Sequence, residues 1–370
     1  GKEAAAEKTF SHEQADGKVK VTFRFDATGL ENEDLVVFEE LYTGTSLIGD
    51  HKDLSDRWQT VSFPGVETDA YDKETEKKNT LAAEDRVIVD KVTYKNLIPG
   101  KKYEISGEVK IRKEGAGSFE DAETVPSEIV GAEGEGNISY DAEKLTFVPA
   151  GNEDETVSGE LLVSFKVDAS HLAGEEFVVG ETVRYNDVEI AVHRDINDKR
   201  QNDFVPKGQT MAVDTSTGIK NTLAADNRVF RDTFRYEKLL PGETYRFTGK
   251  VMAAKEADEE GNTVLEEIPS VMTDEDGKPV ENGCVEFVPS EQDGTIDLYF
   301  SIDATQLENR DVNVFEKVTL DGQPVIIHEV LDGTQTLYVP EGGTRVIDSE
   351  PQDQIAMPDE EVSVIDTLEY

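Results

Sequence analysis

Apolar and polar residues alternate with a period of two in three stretches of the chain. Val19, Val21, Phe23 and Phe25 are interleaved with Lys20, Thr22 and Arg24, which places the apolar side chains on one face of a strand. The pattern returns in Leu161, Val163, Phe165 and Val167, and again in Ile296, Leu298, Phe300 and Ile302. Each copy ends in Asp-Ala-Thr or Asp-Ala-Ser. Turn signals such as Pro99-Gly100 and Pro241-Gly242 separate further short strands, and no stretch sustains a helical period.

These stretches belong to a longer internal repeat. Asn79-Thr80-Leu81-Ala82-Ala83 recurs as Asn221-Thr222-Leu223-Ala224-Ala225, an offset of 142. Asp90, Asp232 and Asp366 each open a segment closing on Tyr94, Tyr236 and Tyr370, at offsets of 142 and 134. Gln59, Gln201 and Gln335 share both offsets. A unit of roughly 135 to 140 residues has the size of an immunoglobulin-like β-sandwich. The expected fold is therefore all-β: tandem immunoglobulin-like β-sandwich domains in a linear array. The pattern predicts the closing part of one unit over residues 1–65, complete units over 84–206 and 226–341, and the first strand of a further unit over 361–370. Linkers are expected near 66–83, 206–225 and 341–360. This phase is that of a segment cut from a longer array; a second reading is that the two ends complement each other between molecules.

Composition narrows the function. The chain has 370 residues and a formal net charge of −43, from 37 Lys and Arg against 80 Asp and Glu. Nucleic-acid binding needs a basic face and counterion release, so that partner is excluded, and an anionic membrane surface is disfavoured for the same reason. No apolar run approaches the length of a membrane span. The single Cys284 rules out an intrachain disulfide and, with five histidines, a Cys/His zinc cluster; it is expected as a small buried strand residue. No metal or cofactor is expected. The acidic run Asp274-Glu275-Asp276-Gly277 lacks the spaced ligands and closing Glu of a calcium loop and reads as a solvated turn.

One constellation recurs near the end of each unit. Val36-Val37-Phe38-Glu39 is followed by His51, Asp56 and Gln59. Val178-Val179-Gly180-Glu181 is followed by His193, Asp198 and Gln201 with identical spacing, and Asn313-Val314-Phe315-Glu316 by His328, Asp332 and Gln335, one residue shorter after the histidine. Asp332 and Gln335 are three apart, which in an uninterrupted strand places them on opposite faces, so a turn or bulge must intervene.

With Asp-Thr-Phe-Arg-Tyr (232–236) and Leu239-Leu240-Pro241-Gly242-Glu243-Thr244-Tyr245 near a unit's start, these motifs resemble the VaFE-repeat, or ester-bond, domains of Gram-positive surface proteins. The resemblance covers essentially the whole chain as serial units. It implies an intramolecular ester between a Thr near the domain start and a Gln in the last strand, formed with release of ammonia. Carried onto the third unit, it joins Thr233 to Gln335, with His328 moving the proton while Glu316 and Asp332 share one and polarise the Gln335 carbonyl. The second unit has Lys91 at that position, where a neutral amine would give a Lys91–Gln201 isopeptide bond beside Glu181, Asp198 and His193; the alternatives are no bond or a bond to Asn202. The first unit has Glu39, His51, Asp56 and Gln59 without an upstream Thr, and the tail has Thr367 without its domain. Thr367 of one molecule reaching Gln59 of another by strand addition is the intermolecular reading.

The resemblance implies a structural stalk of an extracellular, cell-wall-attached adhesin or fibrous protein, crosslinked by single-turnover autocatalysis rather than acting as an enzyme, with neighbouring repeats as its partners. The competing classes are a calcium-dependent or ligand-binding adhesin module without crosslinks and a secreted hydrolase. A binding module needs an exposed aromatic site, whereas the lone Trp58 beside Gln59 reads as core or bond-shielding packing.

Overall fold

A computed structural model describes residues 4–11, 13–14, 16–112, 117–152, 155–255, 263–329, 331, 333–349, 354 and 361–369. The described secondary structure is strand, apart from two short 3-10 turns. No helix among the described residues is long and apolar enough to cross a membrane.

The first unit contributes β1 (Asp34–Val36), β2 (Glu39–Thr43), β3 (Ser46–His51) and β4 (Thr60–Ser62). The second unit runs through β5 (Gly65–Asp72), β6 (Arg86–Leu97), β7 (Tyr103–Ile111), β8 (Glu123–Val125), β9 (Ser127–Gly134), β10 (Asn137–Tyr140), β11 (Leu145–Val148), β12 (Val157–Val167), β13 (Glu176–Tyr185), β14 (Val188–His193) and β15 (Asn202–Phe204). The third runs through β16 (Lys207–Asp214), β17 (Arg228–Glu237), β18 (Tyr245–Ala254), β19 (Leu265–Ile268), β20 (Ser270–Thr273), β21 (Val285–Phe287), β22 (Gly294–Ile302), β23 (Arg310–Leu320), β24 (Gln323–His328) and β25 (Leu337–Val339). A hairpin of β26 (Gly343–Asp348) and β27 (Val364–Glu369) follows.

Each complete unit is a sandwich of two antiparallel sheets. In the second unit the sheet β5-β6-β12-β9 faces β10-β11-β7-β13-β14, to which β8 and β15 attach. In the third, β16-β17-β22-β20 faces β19-β18-β23-β24, with β21 and β25 attached. Alternation supplies both inner faces: Ile88, Ile105, Phe147, Phe165 and Phe177 form one core, and Phe230, Phe234, Phe247, Phe300 and Val314 form a separate one. The repeated Asn-Thr-Leu-Ala-Ala segment marks a joint between the two. Asn79 Nδ2 donates to the Lys238 carbonyl at 3.0 Å, the Tyr245 hydroxyl donates to Asn79 Oδ1, and Lys77 pairs with Glu243 at 3.0 Å.

Several expectations need correction. The segments read as linkers hold β5, β16 and β26, the first strand of each sandwich or of the tail; their mixed polar and apolar letters are those of a strand with one buried face. Residues 19–25 carry the strand alternation but pair with no strand among the described residues. Their counterparts β12 and β22 lie between two strands each. Cys284 is half-buried at the start of β21. Trp58 is 97% exposed, so it shields nothing. Asp274 does cap a turn, accepting from the backbone N–H groups of Asp276 and Lys278.

Two glycines shape the cavity between the sheets. Gly107 lies directly across the ladder from Glu181, and Gly249 across from Glu316. A Cβ at these positions would sit 2.3 Å from Cζ of Phe165 and 2.5 Å from Cζ of Phe300. The ring therefore fills the place of the missing side chain, beside the acid. Gly249→Ala is expected to destabilise the third unit by about 1–3 kcal/mol through overpacking of a buried ring, read as a lowered unfolding temperature for that unit; an unchanged transition would show that Phe300 can move freely.

Candidate functional site

The site of the second unit is assembled from four elements. On β5 and β6 the register sets Thr68 opposite Val92 and Ala70 opposite Asp90, so Thr68 and Asp90 share the inward face. On β13, Glu181 pairs with His193 of β14. Between β14 and β15 the chain turns, with Gln201 N–H donating to the Asp198 carbonyl at 3.0 Å and Arg200 N–H to Asp198 Oδ1 at 2.9 Å. This is the turn that the Asp-x-x-Gln spacing requires. Ala70 N–H then donates to the Arg200 carbonyl at 2.8 Å, which holds β5 against the turn.

The result is a compact reacting set. Thr68 Oγ1 lies 3.0 Å from His193 Nδ1 and 3.0 Å from Gln201 Nε2. His193 Nε2 lies 3.1 Å from Asp198 Oδ2. Gln201 is fully buried, and its Nε2 also donates to the carbonyls of Val179 and His193. Its Oε1 receives no hydrogen bond from an N–H or hydroxyl.

In the third unit the imidazole lies on the glutamine instead, and Thr210 makes no hydrogen bond to either. Thr210 faces Phe234 and Ala212 faces Asp232 across the β16–β17 ladder, and Ala212 N–H donates to the Thr334 carbonyl. Buried Gln335 donates through Nε2 to Val314 O at 3.0 Å and to Glu316 Oε2 at 3.2 Å, and that nitrogen lies 2.6 Å from His328 Nδ1. His328 Nδ1 is 3.5 Å from Glu316 Oε2.

Burial dominates the electrostatics. Asp90 and Glu181 are in contact, and removal from water pushes both carboxyls up, Asp90 to about 6, with the Asp90 charge adding to the rise of Glu181. The third unit has the same pairing: burial raises Asp232 well above the carboxylate range, with Glu316 adding to the shift, and raises Glu316 to about 7. Two dry carboxyls in contact cannot both ionise, so each pair retains a proton at neutral pH. Burial also lowers His193, which keeps its ring neutral and able to accept a proton. Asp198 is pushed up by burial but held below its usual value overall by hydrogen bonds from Arg200.

The structure corrects the expected bonding partners. Thr233 lies between Asp232 and Phe234 on β17, so it faces outward, where its hydroxyl donates to Asp297 at 2.6 Å. Lys91 likewise points outward from β6 and pairs with Glu160 at 2.7 Å. Thr367 occupies the same outward parity on β27 and is exposed. None of the three shares the face of the buried Gln. Asp332 lies outside the described residues; in the second unit its counterpart Asp198 orients His193, and the acid beside Glu181 is Asp90. Gly180, where the third unit has Phe315, is filled by Phe119, whose Cζ lies 2.5 Å from where a Cβ would stand.

In the first unit Gln59 Nε2 donates to Glu39 Oε2 at 2.6 Å and to His51 O at 3.3 Å, and His51 Nε2 lies 3.2 Å from Asp56. Glu39 and His51 are exposed here, so this is half of the buried arrangement.

Sequence reasoning did not place Thr68 and Thr210, or the acids Asp90 and Asp232, at the site. The acids were visible as repeat markers. The threonines carry a signal of their own: Thr68…Asp72, Thr210…Asp214 and Thr344…Asp348 recur at the same offsets, 142 and 134, as the glutamines.

The sequence profile of the T-Q ester bond containing domain matches residues 1–63, 64–202 and 206–339. No curated protein matches the chain. Among solved structures, the chain is similar to the C-terminal domain of the Streptococcus agalactiae AgI/II polypeptide BspA at 11% identity, over 75% of this chain and 100% of that one, with a TM-score of 0.36. It is also similar to a Mobiluncus mulieris adhesin containing intramolecular disulfide, isopeptide and ester cross-links, at 14% identity over 82% and 93% of the two chains, with a TM-score of 0.28.

The carboxyl pairs set a pH dependence. Their folded pKa values are raised, so the folded state holds a proton that the unfolded chain releases above about 4. Stability from this source is intact below that value and falls as pH rises through about 6 for Asp90 and about 7 for Glu316, by up to ~1.4 kcal/mol per pH unit for each retained proton. Denaturant unfolding of a Thr68→Val/Thr210→Val chain between pH 5 and pH 8 is expected to show this decline, and Glu316→Gln to flatten it in the third unit. Stability rising over that window would mean that the pairs are ionised.

Proposed function

The chain belongs to the family of T-Q ester bond containing domains, and on that premise we propose that Thr68 is joined to Gln201, and Thr210 to Gln335, by self-formed intramolecular esters. The observation that carries this reading is the position of Thr68 Oγ1, 3.0 Å from both a neutral imidazole nitrogen and the Gln201 amide.

Each group has a task in that chemistry. A carboxamide is a weak electrophile and a hydroxyl a weak nucleophile, so both need activation. His193 Nδ1 accepts the Thr68 proton, with Asp198 holding Nε2–H and thereby fixing the tautomer. The proton retained by Asp90 and Glu181 is donated toward the Gln201 oxygen, which has no N–H or hydroxyl partner, and stabilises its developing charge. The Thr68 oxygen bonds to Gln201 Cδ, the Cδ–Nε2 bond breaks, and the imidazolium returns its proton to the departing nitrogen. Hydroxyl plus carboxamide thus becomes ester plus ammonia. Both reacting side chains are consumed, so the chain turns over once.

The purpose we infer is mechanical: a crosslinked stalk of an extracellular, cell-wall-attached adhesin or fibrous protein of a Gram-positive bacterium. Serial sandwiches, a strongly acidic surface and a single cysteine support that role, with esters standing where disulfides cannot form. By analogy with a disulfide, closing a loop of roughly 125 residues destabilises the unfolded state by about 5 kcal/mol.

The intact mass of the denatured protein is expected to fall short of the sequence mass by two ammonia molecules, mapped to Thr68/Gln201 and Thr210/Gln335, and hydroxylamine cleavage to give free Thr and a hydroxamate one oxygen heavier than the original carboxamide at each glutamine. Thr210→Ala removes one deficit and lowers the unfolding temperature of the third unit. Thr233→Ala and Lys91→Ala leave both deficits in place. A deficit that follows Thr233 or Lys91 instead would sink the assignment.

A further inference from the structure

Each complete site is flanked by a lysine outside the reacting set. Lys78 and Lys220 stand at the same place in the repeat, directly before the two Asn-Thr-Leu-Ala-Ala segments. The main chain around each is tied to the strand that follows the buried glutamine. Phe204 N–H donates to the Lys78 carbonyl at 2.9 Å, and Thr80 N–H to the Phe204 carbonyl at 2.8 Å. In the third unit Tyr338 N–H donates to the Lys220 carbonyl at 2.8 Å, and Thr222 N–H to the Tyr338 carbonyl at 2.9 Å. The Thr80 hydroxyl adds a 3.0 Å bond to Asp203. Each lysine side chain therefore springs from a fixed base on the glutamine side of its site.

From that base the Lys78 ammonium reaches the threonine side. β5 is the edge of its sheet, so main-chain groups on its open side need partners from outside the sheet. Ala70, two residues from Thr68, uses its N–H on the Arg200 carbonyl at 2.8 Å. Lys78 Nζ donates to the carbonyls of both Ala70 and Arg200, the latter at 2.6 Å, and to Asp69 Oδ1 at 2.6 Å. The Arg200 carbonyl and the Gln201 N–H belong to one planar peptide unit, and that N–H donates to the Asp198 carbonyl at 3.0 Å. A plane held at both ends fixes the direction in which Gln201 leaves the main chain. The Ala70–Arg200 bond alone would let the turn pivot; the charged donor bridging the two carbonyls closes a ring that prevents it. In the third unit Lys220 Nζ donates to the Gly333 carbonyl, one peptide unit earlier in the same turn, while Ala212 N–H holds the Thr334 carbonyl at 3.2 Å.

We propose that Lys78 and Lys220 are positioning residues for ester formation, each fixing the turn that presents the reactive glutamine to its threonine. The proposal rests on the ester-forming reading of the complete units. The ammonium acts through the main chain and takes no part in the proton transfers.

The test is the time course of ester closure in the full 370-residue chain, made by cell-free synthesis, quenched in acid at intervals and read by intact mass and peptide mapping at Gln201 and Gln335. Lys78→Met keeps the length of the side chain and removes the charged donor. It is expected to slow closure at Gln201 by about ten- to a hundredfold, while Gln335 closes at the parent rate in the same molecule. Lys220→Met is expected to give the reverse. Lys78→Arg is expected to recover most of the rate, because a guanidinium offers donors to the same carbonyls. Rates are taken per folded chain, with the folded fraction measured by denaturant unfolding of the Thr68→Val chain with and without Lys78→Met, so that a loss of stability alone leaves the reading unchanged. Closure at the parent rate in a methionine variant would overturn the proposal for that unit, and an arginine variant as slow as the methionine one would overturn the donor's role. A parent chain with no ammonia deficit at either glutamine would overturn the ester reading and the proposal with it.

Discussion

One proton held between two buried carboxyls is the constraint around which each sandwich is organised. A carboxamide yields to a threonine hydroxyl only if something dry and acidic faces its oxygen, and an ionised carboxylate there would oppose the reaction. The sandwich brings Asp90 from one sheet against Glu181 from the other, and Asp232 against Glu316, where desolvation favours the neutral form of each carboxyl. The glycine across from each glutamate and the phenylalanine ring that occupies its place keep water out of the contact. Core packing and chemistry are thus the same set of contacts, and a change in one is felt in the other.

The two complete units differ in a way that bears on how the proton moves. In one, the histidine Nδ1 lies against the threonine oxygen; in the other, it lies against the glutamine nitrogen. A base that takes the hydroxyl proton and delivers it to departing ammonia must reach both atoms with the same nitrogen. The Glu–His register is identical in the two units, so under the proposed chemistry one strand arrangement would serve both contacts.

Strand parity separates what was legible in the sequence from what was not. The period-two stretches, the repeat offsets and the His, Asp and Gln spacing reveal a sandwich, its length and the acceptor side of the site, because those signals are local. The nucleophile is not local to anything in the motif. Thr233 and Lys91 sit one residue beyond Asp232 and Asp90, and a one-residue step along a strand moves a side chain to the opposite face. The resemblance pointed to the second member of the strand pair, on its outward face, whereas the proposed threonines stand on the first. Thr68 and Thr210 lie in segments rich in Asp, Lys, Thr and Gly that read as linkers, because only one face of an edge strand is buried. Phe119 over Gly180 was hidden for a different reason: a loop ring replacing a strand ring leaves no periodic trace.

The choice of strand decides what the crosslink protects. A bond at Thr233 would leave β16, the first strand of the third unit, outside the closed loop, where tension on the chain would peel it from β17. A bond at Thr210 places all but the first few residues of β16 inside the loop. With Thr68 joined to Gln201 and Thr210 to Gln335, the covalent path from one crosslink to the next runs through residues 202–209 alone. That path holds β15, Val205 of the second unit's core and the first residues of β16, so force would load only this short connection and its few ladder pairs, braced by the Asn79, Tyr245 and Lys238 contacts between the units. On the proposed ester reading, a sandwich of non-covalent sheets would gain in this way the extensional limit of a much shorter chain, because Thr68 and Thr210 stand on the first strand of their units.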